Sequence, residues 1–135
     1  MAINKRKTYL FFAGFVLLLV GFYIGLMPVD YLNQFFNNSQ FSTEALSEMR
    51  GMGGTIFVFG FFILAGAFFK QIEYTSIIIA ALIFASFSVF RLIGIIIDGI
   101  PAQSIFVALT IELLFAFSVI PFLLRKDSRA PSESH

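Results

Sequence analysis

Three ionisable residues stand within otherwise apolar stretches of the sequence: Arg91, Asp98 and Glu112. A charge at the centre of a bilayer costs about 2.5–3.5 kcal/mol on the most lenient scale, so such side chains normally face other helices and find a partner. Arg91 and Asp98 are seven residues apart, which places them within about 20° on one helical face. Glu112 has Ala108 and Ala116 one turn away on either side. These small residues let another helix approach, which predicts that Glu112 points into the protein.

The depths of these residues follow from their distance to the turn at 98–101. Arg91 lies seven residues before Asp98, and Glu112 follows the turn by about ten, so both are expected about 10–15 Å inside the outer leaflet. An ion pair between Arg91 and Glu112 is the simplest way to compensate both charges. Such a pair can form part of a ligand, ion or proton site, or it can serve only to fix the helices against each other. The sequence leaves both roles open.

A second polar group precedes the second apolar stretch. Gly53 and Gly54 follow Arg50 by three and four residues, so a neighbouring backbone or a ligand could approach the helix on the face of Arg50. Glu48 and Arg50 differ by about 200° around a regular helix, so both cannot face inward unless the helix starts irregularly. We predict that six residues form one polar cluster that opens outward and serves as a binding site: Glu48, Arg50, Gly54, Arg91, Asp98 and Glu112. No catalytic residue and no metal ligand is assigned.

The elements that position these residues are four apolar spans. The chain of 135 residues is 59% hydrophobic and 13% charged, about half the charge of a soluble domain. Each span reaches the roughly 20 residues that a helix needs to cross a bilayer. The sequence therefore predicts an all-α membrane protein, an antiparallel bundle of four transmembrane helices at about 8–27, 44–69, 74–97 and 102–124. They would form a single domain at residues 1–126, followed by a disordered polar tail at 127–135.

The basic residues predict the orientation of the bundle. Arg50 alone flanks the spans on one side, whereas seven of the nine basic residues lie on the side of the termini: Lys5, Arg6, Lys7, Lys70, Arg125, Lys126 and Arg129. Because basic residues favour the cytoplasmic side, both termini are expected there. We also expect a short amphipathic piece within 28–50, a helix start near Ser42, and a bend at Pro121.

Composition excludes several kinds of site. The chain has no cysteine, and its single histidine is His135, so no thiolate, histidine-metal or haem site is expected and no cofactor is assigned. A net charge of +1 gives no basic surface for nucleic acid.

Three segments carry a resemblance to a known family: Glu48-Met49-Arg50-Gly51-Met52-Gly53-Gly54, the stretch from Arg91 to Asp98-Gly99-Ile100-Pro101, and Glu112. From about Gly14 to Leu124 the chain resembles the small bacterial membrane proteins grouped as domain of unknown function 4345. The resemblance implies a four-helix protein of the inner membrane and brings no activity, substrate or cofactor. By this resemblance, the signature positions of the family in this chain would be the following: Glu48, Arg50, Gly54, Arg91, Asp98, Gly99, Pro101 and Glu112. Met52 departs from the pattern, where an aromatic residue is expected.

Three hypotheses on function follow. The leading one is a binding protein for a lipid-like ligand, or an accessory subunit of a larger membrane complex, in the bilayer of the cell inner membrane. An enzyme would use acid–base chemistry at Glu112 or Asp98, with Arg50 or Arg91 stabilising negative charge. A proton-coupled transporter or channel would need a homo-oligomer, because four helices are few to enclose a path.

Overall fold

The computed structural model describes residues 4–37 and 40–124, and this part of the chain folds into six helices. They are α1 (Lys5–Leu26), α2 (Pro28–Asn33), α3 (Thr43–Phe68), α4 (Glu73–Asp98), α5 (Gln103–Ser118) and α6 (Ile120–Leu124). Four stretches are long and apolar enough to cross a membrane: α1, α3, α4, and α5 together with α6, with mean hydropathy between 1.9 and 2.3. The predicted all-α architecture of a multi-pass membrane protein is confirmed.

The connections agree with the local sequence signals. Ser42 caps α3, because its hydroxyl oxygen accepts a hydrogen bond from the Ala45 amide at 3.2 Å. The connection before it contains the expected short helix, α2, which begins with Pro28 at its first position. The last span is interrupted at Val119, because Pro121 has no amide hydrogen for the carbonyl four residues earlier. The tail predicted from 127 onward lies outside the described residues.

Glycines bring α1 and α3 into close backbone contact, and this pair is the most extensive helix packing in the described chain. A methyl group added at Gly21 would overlap the backbone of Phe57, and one at Gly53 would overlap the backbone of Gly25. Gly14 and Gly60 repeat the arrangement seven residues away. Without hydrophobic driving force between helices in lipid, such van der Waals packing holds them together.

The second hairpin, α4 with α5, packs beside this pair. Ser76 of α4 donates a hydrogen bond to the Phe62 carbonyl of α3 at 3.3 Å. The rings of Phe84 and Phe115 stack at 4.7 Å between α4 and α5, and the Tyr9 hydroxyl of α1 donates to the Phe115 carbonyl at 3.2 Å. All four long helices therefore contribute to one core.

The turn between α4 and α5 sets the height of the polar residues. Gly99 ends α4 with φ +99°, a conformation that favours glycine over residues with a side chain. Pro101 follows two residues later, so the helix cannot continue through this point. The reversal makes α4 and α5 antiparallel and brings the middle of one helix beside the middle of the other.

Candidate functional site

Arg91 and Glu112 form an ion pair between α4 and α5. The Arg91 Nε atom lies 2.9 Å from Glu112 Oε2 and 3.0 Å from Oε1, so one N–H donates to both carboxylate oxygens. The side chains are 23% and 11% exposed, respectively. This is the only salt bridge within residues 4–37 and 40–124. The predicted pairing is confirmed.

The pair leaves most of the Arg91 guanidinium without a protein partner. Among the described residues, only Nε of Arg91 donates a hydrogen bond, and neither terminal amino group has an acceptor. The guanidinium carbon lies 5.9 Å from the centre of the Phe87 ring, within the range of a cation–π contact. These amino groups are not buried, since Ser88 Oγ is the only buried polar side-chain atom without a partner in the described residues, so they are free to donate to an acceptor that enters the cavity.

The ion pair lines a partly open cavity of about 410 Å³ between the helices. This volume lies within the range of small-molecule sites. All four long helices and α2 contribute to its wall, which is apolar apart from Arg91, Glu112 and Tyr31: Val16, Leu17, Val20, Ile24, Met52, Ile56, Phe84, Phe87, Phe90, Ala108 and Ile111. The cavity therefore combines one polar end with hydrocarbon walls.

An apolar groove between α3 and α4 adjoins this cavity. It has a volume of about 550 Å³, and four residues line both spaces: Met52, Ile56, Phe87 and Phe90. Phe59, Leu82 and Phe90 are exposed along the groove, so it opens on the outer surface of the bundle. A chain lying in the groove would extend from the lipid-facing surface toward the ion pair.

Arg50 lies apart from this pair and contacts the end of α1. Its Nη1 atom donates to the Gly25 carbonyl at 3.0 Å and to the Leu26 carbonyl at 3.4 Å. The last carbonyls of a helix have no partner within the helix and carry partial negative charge, which explains why a cation binds there. Arg50 also borders a separate shallow depression of about 420 Å³, together with Gly54.

The remaining predicted site residues face outward. Glu48 and Asp98 are exposed, and neither forms a side-chain hydrogen bond or salt bridge with any residue in the described ranges. Asp98 lies over Gly94, because a methyl group on Gly94 would be 3.8 Å from Asp98 Oδ2. Gly54 is likewise exposed, with open space in front of it. Of the six predicted residues, the structure brings Arg91 and Glu112 together at the cavity, and Arg50 and Gly54 at the separate depression. A binding role for any of the six stays a prediction.

Tyr31 is the cavity residue that the sequence did not indicate. It belongs to α2 and lines the cavity with Arg91 and Glu112. Its ring makes edge-to-face contacts with Tyr23 at 6.1 Å and Phe35 at 5.3 Å. Within residues 4–37 and 40–124, its hydroxyl forms no hydrogen bond. The only sequence signal was the aromatic residue in a polar connection, which does not reveal where the connection folds.

The described residues offer no grouping of three histidine, cysteine, aspartate or glutamate side chains that could hold a metal ion.

Neither a curated protein nor a solved structure matches the chain. A family model described as Domain of unknown function (DUF4345) matches residues 6–123. This match covers most of the chain, all four apolar stretches and the Arg91–Glu112 pair. The chain therefore belongs to the DUF4345 family.

Proposed function

We propose that this protein binds a lipid-like molecule, with the polar group of the ligand at Arg91 and its apolar part in the cavity and the adjoining groove. One observation carries the proposal: the terminal amino groups of Arg91 have no acceptor among the described residues, although the side chain lines a cavity with apolar walls. A ligand with an acceptor oxygen and a hydrocarbon chain would satisfy both features. The groove supports entry from the side, because it is lined by exposed apolar residues and shares four of them with the cavity.

An ion pair with a purely structural role would explain fewer of these observations than a lipid-binding site does. A pair that only fixes two helices against each other needs contact between those helices, and α4 and α5 make this contact directly. It gives no reason for a cavity beside the pair.

The enzyme and transporter hypotheses have less support. Both oxygens of Glu112 already accept from Arg91, and Asp98 is exposed rather than part of the cavity wall. An acid–base pair of carboxyl groups at the cavity is therefore not assembled. A proton path would require Glu112 to leave Arg91, and no second titratable group besides Tyr31 lines the cavity.

The orientation of the bundle belongs to the same proposal. With seven basic residues on the side of the termini and one on the other side, the protein would lie in the cell inner membrane with both termini in the cytoplasm. The ion pair would then lie toward the outer leaflet. The chain lacks cysteine, so Gln40→Cys and Gln71→Cys can be labelled individually with a membrane-impermeant maleimide from outside. Labelling of the first variant alone is expected, and labelling of the second alone would reverse the orientation.

Co-purification tests the binding function. The protein is extracted from its native membrane in mild detergent, and the attached proteins and lipids are identified by mass spectrometry. We expect one lipid-like molecule to be enriched far above its share of the bulk membrane. The variant that carries both Arg91→Met and Glu112→Leu serves as the control, because it removes the polar end of the cavity without leaving one charge alone. Equal lipid profiles of both proteins would contradict the proposal, and specific recovery of partner proteins without lipid would favour an accessory subunit.

A further inference from the structure

The chemistry of the cavity limits which lipids it can hold, and this inference rests on the proposed function. The polar groups available to a ligand are mainly donors. The terminal amino groups of Arg91 can only donate, and the Tyr31 hydroxyl has no partner among the described residues. Both oxygens of Glu112 share the single N–H of Arg91 Nε, and each keeps a lone pair that could accept a ligand hydroxyl. A ligand that fits must therefore bring acceptor oxygens for these donors.

The charge of the cavity is already balanced. Arg91 and Glu112 carry opposite charges, and the other residues of the wall are uncharged. A phosphate or carboxylate in this space would leave a net negative charge in surroundings of low polarity, which is strongly unfavourable. A carbonyl oxygen of an uncharged group could accept from Arg91 without adding charge. The balance of the pair therefore favours a neutral ligand over an anionic one.

The two donors lie on different elements of the wall. Arg91 comes from the last third of α4, whereas Tyr31 comes from the short helix α2 after α1. The edge-to-face contacts with Tyr23 and Phe35 hold the ring of Tyr31 in place. Two separate donors at one apolar cavity suit a ligand with two acceptor oxygens, one for each donor.

We propose that the ligand is an uncharged lipid with two carbonyl oxygens, of the glycerol-ester type, in which Arg91 binds one carbonyl and the Tyr31 hydroxyl binds the other. The acyl chains lie along the apolar cavity and the groove between α3 and α4. Tyr31 thus determines specificity together with Arg91, since the phenol distinguishes an ester from a hydrocarbon or an ether of the same shape.

Three lipids with the same chains test this proposal: dioleoylglycerol, the corresponding dialkyl ether, and dioleoyl phosphatidic acid. Their binding to the full-length protein in detergent micelles is measured by native mass spectrometry. We expect the diester to bind at least about tenfold more tightly than the diether, which lacks the carbonyls and has only weaker ether acceptors. It should also bind at least about tenfold more tightly than phosphatidic acid, whose phosphate would add an uncompensated charge to the cavity. The variant Tyr31→Phe keeps the ring and is expected to weaken diester binding about three- to tenfold, the range of one hydrogen bond. It should leave diether binding unchanged.

A second variant controls for damage to the fold. The hydroxyl of Tyr9 donates to the Phe115 carbonyl at 3.2 Å, and Tyr9 does not line the cavity, so Tyr9→Phe is expected to bind the diester like the original protein. Tighter binding of phosphatidic acid would overturn the neutral class while leaving lipid binding intact. Equal binding of diester and diether would overturn the carbonyl contacts, and unchanged diester binding by Tyr31→Phe would remove Tyr31 from the site. Failure of all three lipids to bind would instead overturn the proposed function.

Discussion

Removing both partners of the Arg91–Glu112 pair should destabilise the protein much less than the sum of the two single removals. The single variants Arg91→Met and Glu112→Leu each leave a charge in an apolar cavity without its partner. Breaking a buried ion pair in this way typically costs about 3–5 kcal/mol. Because the Arg91 side chain is 23% exposed and that of Glu112 is 11% exposed, water relieves part of the cost. We therefore expect a loss of about 3 kcal/mol in the free energy of unfolding for each single variant.

The double variant separates an interaction from two independent effects. Independent effects would add to a loss of about 6 kcal/mol, whereas replacing both charges by apolar side chains of similar size is often nearly neutral. We expect the double variant to lose at most about 3 kcal/mol, which corresponds to a coupling energy of at least about 3 kcal/mol. The measurement is chemical unfolding in detergent micelles, followed by circular dichroism of the helices.

A second cycle serves as the control. Arg50 contacts the end of α1 and not Glu112, so Arg50→Met and Glu112→Leu should be additive within about 0.5 kcal/mol. Additive losses for Arg91 and Glu112 as well would refute the pairing and the depth assigned to both residues. A double variant that regains stability but binds no ligand would favour a binding site over a structural pair.

Three further changes test other features with the same unfolding measurement. The added methyl group of Gly53→Ala overlaps the backbone of α1 and should lower the free energy of unfolding by about 1–3 kcal/mol. The methyl group of Gly54→Ala points into open space, so this variant should gain up to about 1 kcal/mol from helix propensity. Equal effects of the two variants would contradict the close contact of α1 and α3. The Ser88 hydroxyl is buried without a partner among the described residues, so Ser88→Ala should leave stability unchanged or raise it by up to about 1 kcal/mol. Ser76→Ala loses a hydrogen bond worth about 1 kcal/mol. A larger loss of stability for Ser88→Ala than for Ser76→Ala would show that Ser88 is hydrogen-bonded. Arg50→Met removes two hydrogen bonds of an exposed side chain and should lower the free energy of unfolding by no more than about 1 kcal/mol. A loss as large as that of Arg91→Met would show that Arg50 contributes to the core.

The ion pair could be predicted because one short turn joins the two helices that carry its residues. Both are counted from the same short turn at 98–101, and the helical rise fixes their heights. The position of Arg50 could not be obtained in this way. It depends on where α1 ends relative to α3, and these helices are joined by a connection from 27 to 42, too long to fix the height of one against the other.

The packing of α1 against α3 and the place of Tyr31 also depend on the folded structure. The sequence singled out Gly53 and Gly54 together, yet only Gly53 meets a neighbouring backbone. The partner glycines of α1, Gly14 and Gly21, recur at the same spacing of seven as Gly53 and Gly60, which was the available signal for this interface. Tyr31 reaches the cavity only because α2 folds against the core, and an aromatic residue in a connection does not predict that contact.

A crystal structure of the protein purified from its native membrane without added lipid tests the central claim most directly. We predict electron density for a chain-like molecule in the cavity between Phe84 and Arg91, with an acceptor oxygen about 2.7–3.2 Å from a terminal nitrogen of the arginine. The density should continue into the groove between α3 and α4. A cavity that is closed by side chains, with those nitrogens donating to backbone carbonyls of the protein, would contradict the claim that the ion pair is the polar end of a lipid site.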